Sequence, residues 1–308
     1  MKKTLAILCL TLLLSACGAP DVADINGAAP LASREEAELI IFADASMTDA
    51  LEEIAGRYRE AAPWIRTRFH FASSGELSRR IRDGAECDLF LSAASAPMDA
   101  LDGAFRGDLE RNPEGLDMLL QNSRVNLAEN QVVLAVPVGN PQGIRNFSHV
   151  SAIIRRNGGL LLATANPGDP LGAYAARILS YYYSDESVVA RGFTLAANSK
   201  EVVTRIRSGM ADGGILYRTD AEGLEIIDAA DASVCGRVLC CAAVLSGSPR
   251  PLAASAFLEY LTDPEASQVF DRAGFMPLSE ESEYWEAALP EEPEAEPWPE
   301  APEGGDWP

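Results

Sequence analysis

The stretch Leu39-Ile40-Ile41-Phe42-Ala43-Asp44-Ala45-Ser46-Met47-Thr48-Asp49-Ala50-Leu51 changes its period in the middle. It opens as an unbroken apolar run, which suits a strand buried on both faces. After Asp44-Ala45-Ser46, the residues Met47, Leu51, Ile54 and Tyr58 recur at helical spacing and stop before Pro63. A strand that passes through a short polar turn straight into an amphipathic helix is the repeating unit of a parallel α/β sheet. The plan then repeats. Arg68 to Ala72 reads as extended, Ser73-Ser74-Gly75 as a turn, Leu77 and Ile81 as a short helix closed near Gly84, and Asp88 to Ser92 as the following strand.

Gln131 to Pro137 reads as a strand leaving this first group, after which the alternation restarts. Gly159 to Ala165 is a buried strand, Asn166 to Pro170 a turn and Gly172 to Leu179 a helix. Phe193 to Ala196 leads to Asn198, which with Glu201 three residues on forms a capping box for a helix through Val202, Val203 and Ile206. Gly213 to Tyr217 and Cys240 to Leu245 are further strands, and helices around Phe257 and Phe270 close the body. The expected architecture is two α/β lobes. The first takes residues 37–135 plus 240–278 and the second 136–239, with the strands near 131–137 and 240–245 crossing between them as a hinge.

Both ends read differently from this body. Lys2 and Lys3 precede an apolar run from Leu5 to Leu14, and Leu14-Ser15-Ala16-Cys17 has the form of a lipobox. The run is far short of the ~20 residues that span a bilayer, so residues 1–17 are expected to be an export signal ending in a lipidated Cys17. Residues 18–36, rich in Ala, Pro, Gly and Asp, read as a flexible tether. From Glu280 to Pro308 there are eleven acidic residues, no Lys or Arg, and repeated prolines, so residues 279–308 read as a disordered acidic tail. Much of the formal net charge of −21 belongs to that tail, and the charge argues against nucleic acid as a partner.

Once Cys9 leaves with the signal and Cys17 is lipidated, Cys87, Cys235, Cys240 and Cys241 remain. Either Cys235 pairs with Cys240 or Cys241 across the Gly236-Arg237 turn, or all four are small buried residues. No metal site is expected, because His70 and His149 are the only histidines and neither lies near this cluster. The same shortage weighs against catalysis. His70 is placed on a strand before Ser74 and His149 in a loop, and there is no nucleophile elbow, phosphate-binding loop or dinucleotide fingerprint. The chain is read as a binding protein and not an enzyme. Ligands of such units collect beyond the carboxyl ends of strands, where helix starts present unpaired N–H groups. Ser46, Ser73-Ser74-Gly75, Pro170-Leu171-Gly172 and Asn198-Ser199 occupy those junctions, two from each lobe.

Residues Ala43 to Leu51, Phe71 to Ser74, Asp88 to Ala93, Gly214 to Tyr217 and the closing Phe257 to Phe275 segment together resemble the molybdate-binding proteins of ABC importers. The resemblance covers residues 38–276 and implies a two-lobed type II periplasmic-binding-protein fold with the ligand in the cleft between lobes. It also implies a shell of neutral donors around a tetrahedral oxyanion, molybdate or tungstate, with no cofactor. Ser46 and Ser74 match its hydroxyl donors, Leu171 and Ser199 its backbone N–H donors, and Tyr217 the tyrosine whose phenol completes the shell. The partners implied are a membrane permease with its ATPase and, through Cys17, the membrane surface; the chain would act as a monomer. Another oxyanion such as sulfate, or a surface sensor built on the same fold, are the alternatives.

Overall fold

The computed structural model describes residues 36–157, 159–183 and 190–278. The signal, Cys17, nearly all of the tether and the acidic tail lie outside these residues. Ten strands are described: β1 (Ala37–Asp44), β2 (Ile65–Ala72), β3 (Leu89–Ser92), β4 (Val125–Asn130), β5 (Val132–Val136), β6 (Leu162–Ala165), β7 (Phe193–Ala196), β8 (Gly213–Tyr217), β9 (Glu225–Ala229) and β10 (Val238–Val244). They form two five-stranded sheets, in the orders β2-β1-β3-β10-β4 and β7-β6-β8-β5-β9. In each sheet four strands run in one direction and one runs against them, β10 in the first sheet and β5 in the second. Among the described residues no helix is long and apolar enough to cross a membrane.

The quoted stretch behaves as its period requires. Leu39, Ile41 and Ala43 face one side of the first sheet and pack with Met47, Leu51 and Ile54 of helix α1 (Thr48–Ala61). Ile40 and Phe42 face the other side, with Leu77 and Ile81 of helix α2 (Ser74–Arg82). Both faces of β1 are therefore covered, which is why its apolar run does not alternate. Helix α3 (Ser95–Asp99) adds to that second layer through Met98. In the other sheet, α4 (Phe147–Asn157), α5 (Pro170–Tyr182) and α6 (Ser199–Arg207) supply Val150, Ile178 and Val202 to the core. His149, expected in a loop, lies in α4.

The boundary between lobes differs from the one expected. β5 was assigned to the first lobe, yet it sits inside the second sheet between β8 and β9, and β10 sits wholly inside the first between β3 and β4. Neither strand passes from one sheet to the other. The chain crosses at Asn130-Gln131, and again between Ala230 and Arg237 through the short helix α7 (Ala232–Cys235). Five consecutive apolar residues in β5 satisfy a central strand of either sheet, so hydrophobicity alone could not place it. The two crossings are joined by an ion pair between Glu129 and Arg237, and Asn130 donates to the Thr219 hydroxyl at 3.0 Å.

The four cysteines in the body are buried free thiols. Cys240 and Cys241 are neighbours on one strand and point to opposite sides of the sheet, Cys240 towards the same core as Cys235 and Cys241 towards the α2 layer. No bridge from Cys235 forms, and burial raises the Cys87 thiol to about 12 and that of Cys235 to about 11.

Helices α8 (Pro251–Leu261) and α9 (Pro264–Arg272) return to the first lobe, and one buried side chain fixes the turn before them. Asp88 is 0% exposed; it accepts from the Ile40 N–H at 2.8 Å and the Ser248 hydroxyl at 2.6 Å, and pairs with Arg250 at 3.1 Å. Asp88→Ala would leave these buried donors without an acceptor. We expect a loss of about 3 kcal/mol in unfolding free energy by urea titration.

Candidate functional site: the interlobe cleft

The two lobes meet beyond the carboxyl ends of β1 and β3 on one side and β6 and β8 on the other, and the interlobe cleft is closed there. Of the serines at the helix starts, the structure separates those that cap from those that do not. Ser73 is the N-cap of α2, its hydroxyl accepting from Glu76 N–H at 3.2 Å. Asn198 caps α6 through a 3.0 Å bond from Glu201 N–H. Ser74 and Ser46 are thereby free of capping duty, and both turn to a residue that the sequence reading passed over.

That residue is Asp44, the last of β1, 4% exposed. One carboxylate oxygen accepts from the Ser46 N–H at 3.0 Å and the Ser46 hydroxyl at 2.8 Å; the other accepts from the Ser74 N–H at 3.0 Å and from the Ser74 hydroxyl. The Ser74 oxygen also accepts from Ala93 N–H at 3.0 Å, which leaves its own proton directed at Asp44. Four donors from two separate chain segments thus converge on one oxyanion group.

The second lobe carries a counterpart. Asp169, also 4% exposed, is the N-cap of α5 and accepts from Leu171 N–H at 2.8 Å. Burial, reinforced by the charge of Asp44, raises the Asp169 carboxyl to about 8, outweighing the bonds from the helix start and from Ser73 that favour its ionised form. Ser199 accepts from Tyr217 N–H at 3.1 Å and so joins the start of α6 to the end of β8. The Tyr217 side chain is 2% exposed, and among the described residues its hydroxyl has no hydrogen-bond partner. Burial holds that phenol protonated, with Asp169 and Asp44 the next contributors to the same effect.

The five positions expected to hold the ligand are buried at or next to Asp44 and Asp169. The donors there are uncharged, as expected, but they already have acceptors: Ser46 and Ser74 donate to Asp44, and the Leu171 N–H donates to Asp169. The physical reason lies in the helix starts, whose buried N–H groups require acceptors. Asp44 and Asp169 were the residues missed. Each stands where a buried strand or a polar turn meets a helix, two residues before the N–H it accepts, a pattern that reads as ordinary capping unless burial is known.

Contacts across the cleft hold the lobes together. Lys200 of α6 lies 2.9 Å from Asp49 of α1 and 3.2 Å from Asp220 beside Tyr217. A Cβ on Gly75 would come within 2.4 Å of the Gly168 carbonyl oxygen in the facing lobe.

Comparison with known proteins follows this geometry. Residues 39–276 match the model of the bacterial extracellular solute-binding protein family. The chain belongs to that family. It is a solute-binding protein rather than an enzyme. It is 28% identical over 247 residues to YvgL of Bacillus subtilis, provisionally named an ABC transporter substrate-binding lipoprotein, covering 79% of this chain and 88% of that one. It is also 28% identical over 255 residues to the molybdate-binding protein ModA of Mycobacterium tuberculosis, covering 77% and 84%. The solved periplasmic molybdate-binding protein of Azotobacter vinelandii superposes with a TM-score of 0.64 at 20% identity over 78% of this chain and all of that one, which supports the two-lobed fold.

Two outcomes test the cleft. Gly75→Ala needs roughly 1 Å more room at Gly168; the variant should scatter as a more open particle in solution than the wild type. Asp169 has a raised carboxyl, so its contribution to stability is complete below the unfolded value of about 4 and is lost as pH rises through about 8. Asp169→Asn should therefore match the wild type in thermal unfolding near pH 4 and exceed it increasingly up to about pH 8.

Proposed function

We propose that this chain is the substrate-binding component of an ABC importer, anchored to the membrane through a lipid on Cys17, and that it captures molybdate or tungstate in the interlobe cleft for delivery to a permease. The ligand would be held by Ser46 and Ser74 of the first lobe and by Leu171, Ser199 and Tyr217 of the second. The observation that carries this reading is the convergence of two N–H groups and two hydroxyls on a single carboxylate at Asp44. A carboxylate presents two oxygens and a negative charge, as one edge of a tetrahedral oxyanion does. Donors arranged for the first suit the second.

The unpaired Tyr217 hydroxyl supports the same reading from the facing lobe. A buried donor without an acceptor is costly in the free protein and is relieved when an acceptor arrives. YvgL is named for substrate binding in an ABC transporter and ModA for molybdate binding, and both names agree with this reading.

Calorimetry with molybdate, tungstate, sulfate and phosphate tests the proposal. Molybdate and tungstate should bind with similar affinities and well ahead of the other two; preferential binding of sulfate would change the ligand, and binding of none would end the oxyanion reading. Tyr217→Phe should weaken molybdate binding about tenfold, a factor worth about 1.4 kcal/mol, without lowering the melting temperature of the ligand-free protein.

A further inference from the structure

The groups best placed to bind an anion in this cleft are already engaged. Both N–H groups and both hydroxyls of Ser46 and Ser74 donate to Asp44, which belongs to the same chain and is buried with them. A second anion cannot take these four protons while Asp44 keeps them, and a dianion placed beside a buried carboxylate is repelled with little screening from water. By contrast, the Tyr217 hydroxyl in the facing lobe is unengaged. The cleft thus has one half that is self-occupied and one half with a donor in waiting.

We propose that the Asp44 carboxylate is a resident competitor for the oxyanion cradle, displaced when the ligand enters, and that this one side chain determines how tightly the site holds its anion. The inference rests on the oxyanion reading above and adds a residue to it. The groups that face Asp44 from the packed elements are Ser46 on its own turn, Ser74 at the start of α2, Asp169 at the start of α5, Tyr217 at the end of β8, Asp220 just beyond it and the Cys240 thiol of β10. Lys200 pairs with Asp49 and with Asp220 of this set. Burial raises Asp220 as well as Asp169, so the cleft gains negative charge as pH rises and an incoming anion meets growing opposition.

The chemistry of the exchange is balanced without any reaction: one oxyanion leaves four hydrogen bonds and another takes them. A ligand too small in charge to outbid a carboxylate would not displace it. The cradle would thereby reject weakly basic monoanions such as chloride or nitrate and admit dianions.

The test is calorimetry of molybdate and tungstate on the full chain and on its Asp44→Ala and Asp44→Asn variants, at about pH 6 and about pH 8.5. Removal of the competitor should tighten binding about tenfold or more at the higher pH, with Asp44→Asn, which keeps the shape and loses the charge, in between. Wild-type affinity should fall between the two pH values by more than that of Asp44→Ala. Equal or weaker binding by Asp44→Ala at both pH values would overturn the proposal by making Asp44 a ligand-supporting group. Should neither the wild type nor either variant take any of the oxyanions, the functional reading itself fails, a result distinct from the first. The wild-type pH profile stands as a check that needs no variant to fold.

Discussion

The structure turns on the need of buried helix-start N–H groups for an acceptor. Where β1 runs into its turn and where α2 begins, the donors of Ser46 and Ser74 are buried and need an acceptor within the protein. Asp44 answers both sets at once because its two oxygens lie between them. The close approach of β1 and β3, the short turns that follow each strand, and the burial of Ser74 all serve to bring those donors to one point. Asp169 does the corresponding work at the start of α5 and also takes a bond from Ser73 of the other lobe, which brings it close to Asp44. Burial first and the neighbouring Asp44 charge second raise the Asp169 carboxyl.

The negative balance of the whole chain tells little about this site. Much of it belongs to residues 279–308, while around Asp44 the local account consists of three buried carboxyl groups, one lysine and a set of neutral donors. What an anion meets there is set by individual side chains within a few ångströms, since the interior screens poorly and the outside screens well.

Much of the fold was legible in the sequence because its signals are local. The shift from a continuous apolar run at Leu39–Ala43 to helical spacing at Met47–Tyr58 needs no tertiary information, and the capping box at Asn198 and Glu201 appears where it was read, with Glu201 reaching back to Ala197 N–H. The sheet membership of β5 was not legible, because five buried apolar residues fit a central strand in either lobe. Strands β4 and β9 were not singled out either; half-exposed residues such as Val125, Asn126 and Ile226 give them a weaker pattern. In the site, the serines were found by their place at helix starts, whereas Asp44 and Asp169 were taken for turn residues. Their type and spacing suit an exposed cap as well as a buried one, and the difference is a matter of what packs on top.

The arrangement of strands also orders events in time. All five strands of the second sheet lie in one continuous stretch, from Val132 to Ala229, so that lobe holds its whole sheet as soon as this stretch is available. The first sheet has a gap between β3 and β4 that only β10 fills, and β10 arrives more than a hundred residues after β4 in a chain that emerges from its amino end. Contacts of such separation form late. Until β10 is inserted, Cys240 and Cys241 remain outside the core that makes them inert. The lobe that starts first in the sequence is thus the one that finishes last, and its completion is also what shelters the two thiols from oxidation.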